Sequence, residues 1–291
     1  MSELSLRKNL LGFEVQYGED RPLALYRARE ELPRTDSPKP CFAPIYTPSG
    51  TLVTEYRPAD HTWHTGLYFG WVHANDANLW GGPWYIPETK QYEHVDNSHG
   101  IQHHDAFTQL SADEGVAISE TLSWLDTDDA PLATEERTYR IESVAGGTRW
   151  RIATQIQPAT ERLILGASRA ARYSGLELRM GPPFAEASHY DSEGRIGHEA
   201  IMRQRARWVA ARGASGGCLA MMDHPTNPRH PVQWFTRKNL LGAGLLMEGD
   251  LEIFQGQSLD LTYAFFVLDA DPGPDAWEAH YQTFCSWVGN A

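Results

Sequence analysis

Apolar and polar residues alternate with a period of two through the middle of the chain. Val116, Ile118, Leu122 and Trp124 share one face of a segment, Tyr139 and Ile141 one face of the next, and Trp150, Ile152 and Ile156 one face of a third. Such alternation marks strands that bury one side. Turn chemistry separates these segments: "SADEG" at 111–115, "DTDDAP" at 126–131 and "AGG" at 145–147, where glycine takes positive φ without steric cost. The pattern predicts a meander of long antiparallel hairpins. "CFAPIYTPSGTLVTEY" predicts an earlier hairpin turning at Thr47-Pro48-Ser49-Gly50. "SLDLTYAFFVLDA" predicts a late strand alternating Leu259, Leu261, Tyr263, Phe265 and Val267.

The period changes near the C-terminus. Trp277, Tyr281, Phe284 and Val288 recur at helical spacing behind Pro274 and Asp275, which suit a first helical turn. One helix packed on sheets is expected there. No internal repeat, low-complexity tract or Pro/Ser linker marks a boundary, so residues 1–291 read as one domain. The fold class expected is all-β, a large antiparallel two-sheet β-sandwich with a C-terminal helix.

Charge narrows the partners. Lys plus Arg number 25 against 38 Asp plus Glu, and the formal net charge of −13 repels phosphate backbones and anionic membranes. Nucleic acid and membrane are therefore not expected as partners. No window approaches the roughly 20 apolar residues of a span, and the first residues lack the apolar core of an export signal. Cys41, Cys218 and Cys285 are odd in number, widely spaced and without a CxxC pair, which argues against a disulfide framework or a thiolate zinc site. A reducing cytoplasm fits this usage.

Residues 55–84 hold four tryptophans, three histidines and two aspartates in thirty positions. Within them "DHTWH" places Asp60, His61 and His64 just before a strand-like "GLYFGWV". Residues three apart on a strand point to opposite faces, so His61 and His64 share a site only if the chain turns, and Arg57-Pro58-Ala59-Asp60 supplies a turn. A second cluster, "NSHGIQHHDAF", puts His103 and Asp105 on one face of a strand and His104 on the other, an HxD spacing that suits a metal if a distant histidine joins. A third, "MDHPTNPRHPVQW", carries Asp223, His224, Asn227, Arg229, His230 and Trp234 on a loop that three prolines stiffen. Trp63, Trp71, Trp80 and Trp84 offer flat faces for stacking on sugar C–H groups, although core packing accounts for Trp71. Glu120 breaks the apolar face of its strand, where a wet edge position accounts for it. Arg179, ending "YSGLELR", needs a partner if buried.

The stretches "PIYTPSGTLVTEYRPADHTWHTGL", "HGIQH", "YSGLELR" and "DHPTNPRHPVQWF" resemble a bacterial family of unknown function labelled PmoA-like, across nearly the whole chain. Trp63 stands where members often carry a further histidine. The "methane oxygenase" label attached to that family does not suit a chain without apolar spanning segments. The family is similar to galactose-mutarotase-like supersandwich proteins and is associated with sugar dehydrogenases and isomerases. The resemblance implies a carbohydrate ligand and marks Asp60, His61, His64, His103, Arg179, Asp223, His224, Asn227, Arg229 and Trp234.

Three functions fit these residues. The first is an enzyme of the epimerase, mutarotase or lyase type acting on a sugar or keto-sugar. His61, His64 and His103 would transfer protons, Asp60 and Asp223 would orient them, and Arg179, His224, Asn227, Arg229, Trp234 and Trp63 would bind substrate. It needs no cofactor. The second is an oxidoreductase with a divalent metal held by His103 and Asp105 with His61 or His64. The third is a noncatalytic sugar-binding module. The partner implied is a small-molecule carbohydrate, with a homodimer left open.

Overall fold

The computed structural model describes residues 4–18, 20–86, 88–166 and 173–287. Two antiparallel sheets face each other. The smaller has eight strands in the order Ser188–Asp191, Trp208–Arg212, Cys218–Asp223, Leu259–Leu268, Gly147–Pro158, Pro131–Val144, Val116–Leu125 and Ile101–Ser111. The main path of the larger runs Leu4–Lys8, Gly12–Tyr17, Arg21–Arg27, Cys41–Ile45, Leu67–Ala74, Gly175–Arg179, Leu240–Ala243 and Trp234–Arg237. Three short strands branch from it, making eleven among the described residues. The all-β sandwich expected from the alternation is the fold observed.

Each turn signal sits between strands. Val144 pairs with Gly147, and Gly146 takes φ +75° in the two-residue connection. The earlier hairpin closes with Gly50 N–H donating to Thr47 O at 2.9 Å. Between the sheets the inward faces interlock: Phe42 meets Trp150 at 4.8 Å, Trp71 meets Trp124 at 5.5 Å and Phe69 meets Tyr263 at 6.2 Å between ring centroids.

The strand Leu259–Leu268 is buried on both sides. Leu259, Leu261, Tyr263, Phe265 and Val267 face the inter-sheet core, whereas Ala264, Phe266 and Leu268 join a second cluster with Trp277, Tyr281 and Phe284. The helix Pro274–Cys285 supplies that second cover, which is why "YAFFVL" is apolar without interruption. Val288, expected to extend the helix, lies outside the described residues.

Glu120 is not at a wet edge. It is buried and paired with His104 Nδ1 at 2.7 Å, and it accepts from the Tyr26 hydroxyl. The strand's inward alternation carries it into the core, where two partners satisfy it. A neighbouring Arg137 lies flat on Glu135, at 2.7 and 2.9 Å, with both side chains fully buried.

On the larger sheet the face turned away from the core carries a row set by register: Cys41 opposite Tyr68, Tyr68 opposite Glu177, Glu177 opposite Gly242, Gly242 opposite Phe235. Among the described residues, loop side chains including Trp63, Trp80 and Tyr173 cover this row, and they form the candidate site.

Candidate functional site

The segment 57–64 folds back on itself. His61 N–H donates to Pro58 O at 3.0 Å, His64 N–H to His61 O at 3.0 Å and Arg57 N–H to His64 O at 2.8 Å, with Arg57 at φ +51°. Buried Asp36 fixes the loop from below, taking Arg57 Nη2 at 2.5 Å and Thr62 Oγ1 at 2.8 Å. The turn thus brings His61 and His64 together, their rings stacked 4.9 Å apart. Trp63 lies against the backbone of Gly82, where a Cβ would overlap the indole.

These side chains open onto a cavity of about 720 Å³ lined also by Trp80, Tyr173, Arg179 and Phe235, a volume that suits a small-molecule ligand. Asp60 Oδ2 accepts from His61 Nδ1 at 2.8 Å, which leaves His61 Nε2 as a base. The His61 hydrogen bond, foremost among the causes, draws the Asp60 carboxyl below its usual range. Arg179 is set by Glu55 at 3.0 Å and lies 3.9 Å from Asp60. Its Nη1 approaches His64 Nδ1 at 3.5 Å, a weak contact that makes Nδ1 the acceptor and leaves the ring proton on Nε2.

Burial, followed by the charges of His61, Arg179 and Lys39, holds His64 well below the usual imidazole range. Lys39 itself is buried and pushed down to about 7; its ammonium donates to Trp80 O at 2.8 Å, Ser37 O at 3.0 Å and Asp36 O at 3.2 Å. The site therefore combines a carboxylate-oriented imidazole, a buried neutral imidazole and a guanidinium around one opening.

The other expected residues lie elsewhere. His103 is exposed, 4.0 Å from Asp105, in a separate cleft of about 430 Å³. The metal set of His103 and Asp105 with His61 or His64 is not assembled. Among the described residues no three His, Cys, Asp or Glu side chains are placed to hold a metal ion.

The third cluster forms a knot within the fold. Asp223 accepts from Asn227 Nδ2 at 2.8 Å, His230 Nδ1 at 2.8 Å and Val232 N–H at 2.9 Å. Asn227 also pairs with both backbone groups of Thr262 at 2.7 Å, while His230 Nε2 meets the Tyr281 hydroxyl of the helix at 3.3 Å. His224 packs on Phe284 and bonds Thr226, and Trp234 is buried with its Nε1 donating to Ala206 O. Arg229, at φ +66°, donates to the carbonyls of Leu245, Gly249 and Asp250 at 2.7–2.8 Å. The stiff loop is as expected, but its polar groups are turned inward onto strand, helix and neighbouring loop. The residues assigned together to one substrate therefore do not meet: His61, His64 and Arg179 line one cavity, His103 another, and Asp223, His224, Asn227, Arg229 and Trp234 neither.

Sequence reasoning missed Glu177. It is fully buried beside Tyr68 and Gly242, beneath the layer in which Trp80, Tyr173 and Phe235 touch at 4.6–4.7 Å. Neither carboxyl oxygen has a partner in hydrogen-bond geometry, and burial raises its pKa well above the usual carboxylate value, more than the Ser174 backbone lowers it. Gly242 is required next to it, because a Cβ there would overlap the carboxyl. The alternation in "GLELR" holds the clue: Leu176 and Leu178 face the core, so Glu177 and Arg179 share the opposite face. Arg237 and Lys238, also in the cavity wall, are the basic pair in "FTRKN".

Fold and site together define a two-sheet β-sandwich protein with a polar, aromatic-walled cavity on the outer face of its larger sheet. The chain belongs to a family of unknown function, DUF6807, whose profile matches residues 13–282. No curated protein matches it. Among solved structures it is similar to the Slr1438 protein from Synechocystis sp. PCC 6803, at 10% identity and TM-score 0.43, over 86% of this chain and 97% of that one. It is also similar to a mutant of the heparan sulfate lyase HepC from Pedobacter heparinus, at 8% identity and TM-score 0.34, over 94% of this chain and 36% of that one. No helix of the described residues is long and apolar enough to cross a membrane.

Proposed function

We propose that the protein is a carbohydrate-processing enzyme that moves a proton at or next to the anomeric carbon of a sugar or keto-sugar, in an epimerase, mutarotase or lyase reaction. The observation that carries this reading is the stacked His61–His64 pair beside Arg179 at the mouth of an aromatic cavity. His61, oriented by Asp60, removes the proton through Nε2. His64, kept neutral by burial, presents Nε2–H as donor to the oxygen that gains charge. Arg179, fixed by Glu55, stabilises that oxyanion in a partly dry site. Trp63 and Trp80 give the sugar ring apolar faces to stack on.

The test is solvent exchange. The protein is incubated in D2O with a panel of aldoses, uronates and 3-keto sugars, and deuterium entry at carbon is followed by proton NMR. Exchange is expected with one class. It should fall at least ~100-fold in His61→Ala and in His64→Ala, with melting temperature preserved. His103→Ala should exchange normally. Exchange undiminished in both cavity variants removes the imidazoles from the chemistry, and saturable binding with neither carbon exchange nor accelerated anomer interconversion, followed in the same spectra, makes the protein a binding module.

A further inference from the structure

A second cavity, of about 450 Å³, adjoins the first, and the two share Trp80, Gly81, Pro83, Tyr92 and Tyr173 in their walls. Each is of ligand size, and together they form one trough over the outer face of the larger sheet. The second is floored by aromatic residues. Trp84 is held rigidly, its Nε1 donating to Ser98 Oγ at 2.7 Å and its ring 4.5 Å from His73. Tyr85 and Tyr92 face each other at 5.4 Å across the short hairpin of Trp84–Ile86 and Gln91–Glu93.

The two cavities differ in charge. Arg237 lines the first with Arg179, which Glu55 holds at 3.0 Å, and Lys238, which pairs with Glu186 at 2.9 Å, while Glu88 and Asp250 line the second. Guanidinium and ammonium groups select a carboxylate. Carboxylates accept hydrogen bonds from neutral hydroxyls and repel an anion. Fixed aromatic rings serve the C–H face of a sugar.

We propose that the cavities are adjoining subsites for a two-ring carbohydrate, in which a carboxylate-bearing ring sits beside His64 and Arg179 and is linked to a neutral ring stacked on Trp84 and Tyr85. This rests on the carbohydrate reading above and extends it to a substrate class, an acidic disaccharide or the end of a longer acidic chain.

Calorimetric titration of the full chain tests it. The probes are glucuronate, galacturonate and mannuronate, the aldobiouronates joining each to glucose, galactose or xylose, and the matching neutral disaccharides. At least one acidic two-ring probe should bind tenfold or more tightly than its acidic single ring and than its neutral counterpart. Trp84→Ala should erase the gap between two rings and one, and Tyr85→Ala serves the same purpose if Trp84→Ala does not fold. A single acidic ring that binds as tightly as the linked pair overturns the second subsite and leaves the carbohydrate reading standing. Neutral disaccharides that bind as tightly as acidic ones overturn the charge assignment. If no carbohydrate binds, the carbohydrate reading falls and this inference falls with it.

Discussion

Glu177 shows how much one side chain can conceal. Its carboxyl lies under aromatic rings with no donor in hydrogen-bond geometry, and burial raises its pKa. Below the unfolded pKa, both folded and unfolded chains carry the proton. As pH rises above it, the unfolded chain releases the proton while the folded chain keeps it, so stability declines until the raised folded pKa is passed. Glu177→Gln should therefore be close to neutral for stability at pH 4 and increasingly stabilising above pH 5, by up to about 1.4 kcal/mol per pH unit. Urea unfolding of both proteins at pH 4, 6 and 7.5 measures this. A gap that stays constant across the three would sink the account.

At the level of elements, the late loop is a fastener. Asp223 gathers Asn227, His230 and Val232, Asn227 stitches the loop to Thr262, and His230 reaches the helix. Asp223→Ala leaves three donors without their shared acceptor and should cost about 3–5 kcal/mol, read as a lowered urea midpoint with the cavity residues unchanged. A loss under about 1 kcal/mol would contradict the knot.

The strands and the helix were legible in the sequence because alternation and helical spacing follow directly from which side is buried, as Trp124, Phe265 and Trp277 show. Pro58 made a turn before His61 legible, but the turn that joins His61 to His64 lies further on, closed by His64 N–H on His61 O, and the sequence did not place it. The fates of Asp223, Asn227 and Arg229 were not. A polar, proline-stiffened loop has one composition whether its donors face a ligand or the backbone of the next strand, and only long-range packing decides. Glu177 escaped notice because an acid between two leucines reads as a solvated face until loops cover it. Glu120 misled in the same way, its two satisfying partners lying 16 and 94 positions away.

Across the whole molecule, buried and half-buried imidazoles set the response to acid. His64, His99, His189, His224 and His280 are all held below the usual imidazole range with burial as the first cause, and His189 is pushed down to about 4. Under acid the unfolded chain takes up protons near pH 6.5 that the folded chain refuses. Stability therefore rises with pH between about 4 and 6.5, against the smaller opposing trend from Glu177. Melting temperature should fall steadily from pH 7 to pH 5, before most carboxylates titrate, and His189→Gln should flatten part of that slope. A melting temperature level across this interval would refute the cause.

Arg229 ties these scales together. Its guanidinium clasps the carbonyl of Asp250, and Asp250 stands in the wall of the second cavity. A residue outside that wall thus governs the shape of the cavity. A mutational survey scored by lost turnover alone would enrol Arg229 among the chemical groups, whereas turnover recovered at low temperature or in an osmolyte would reveal an architect of the cleft.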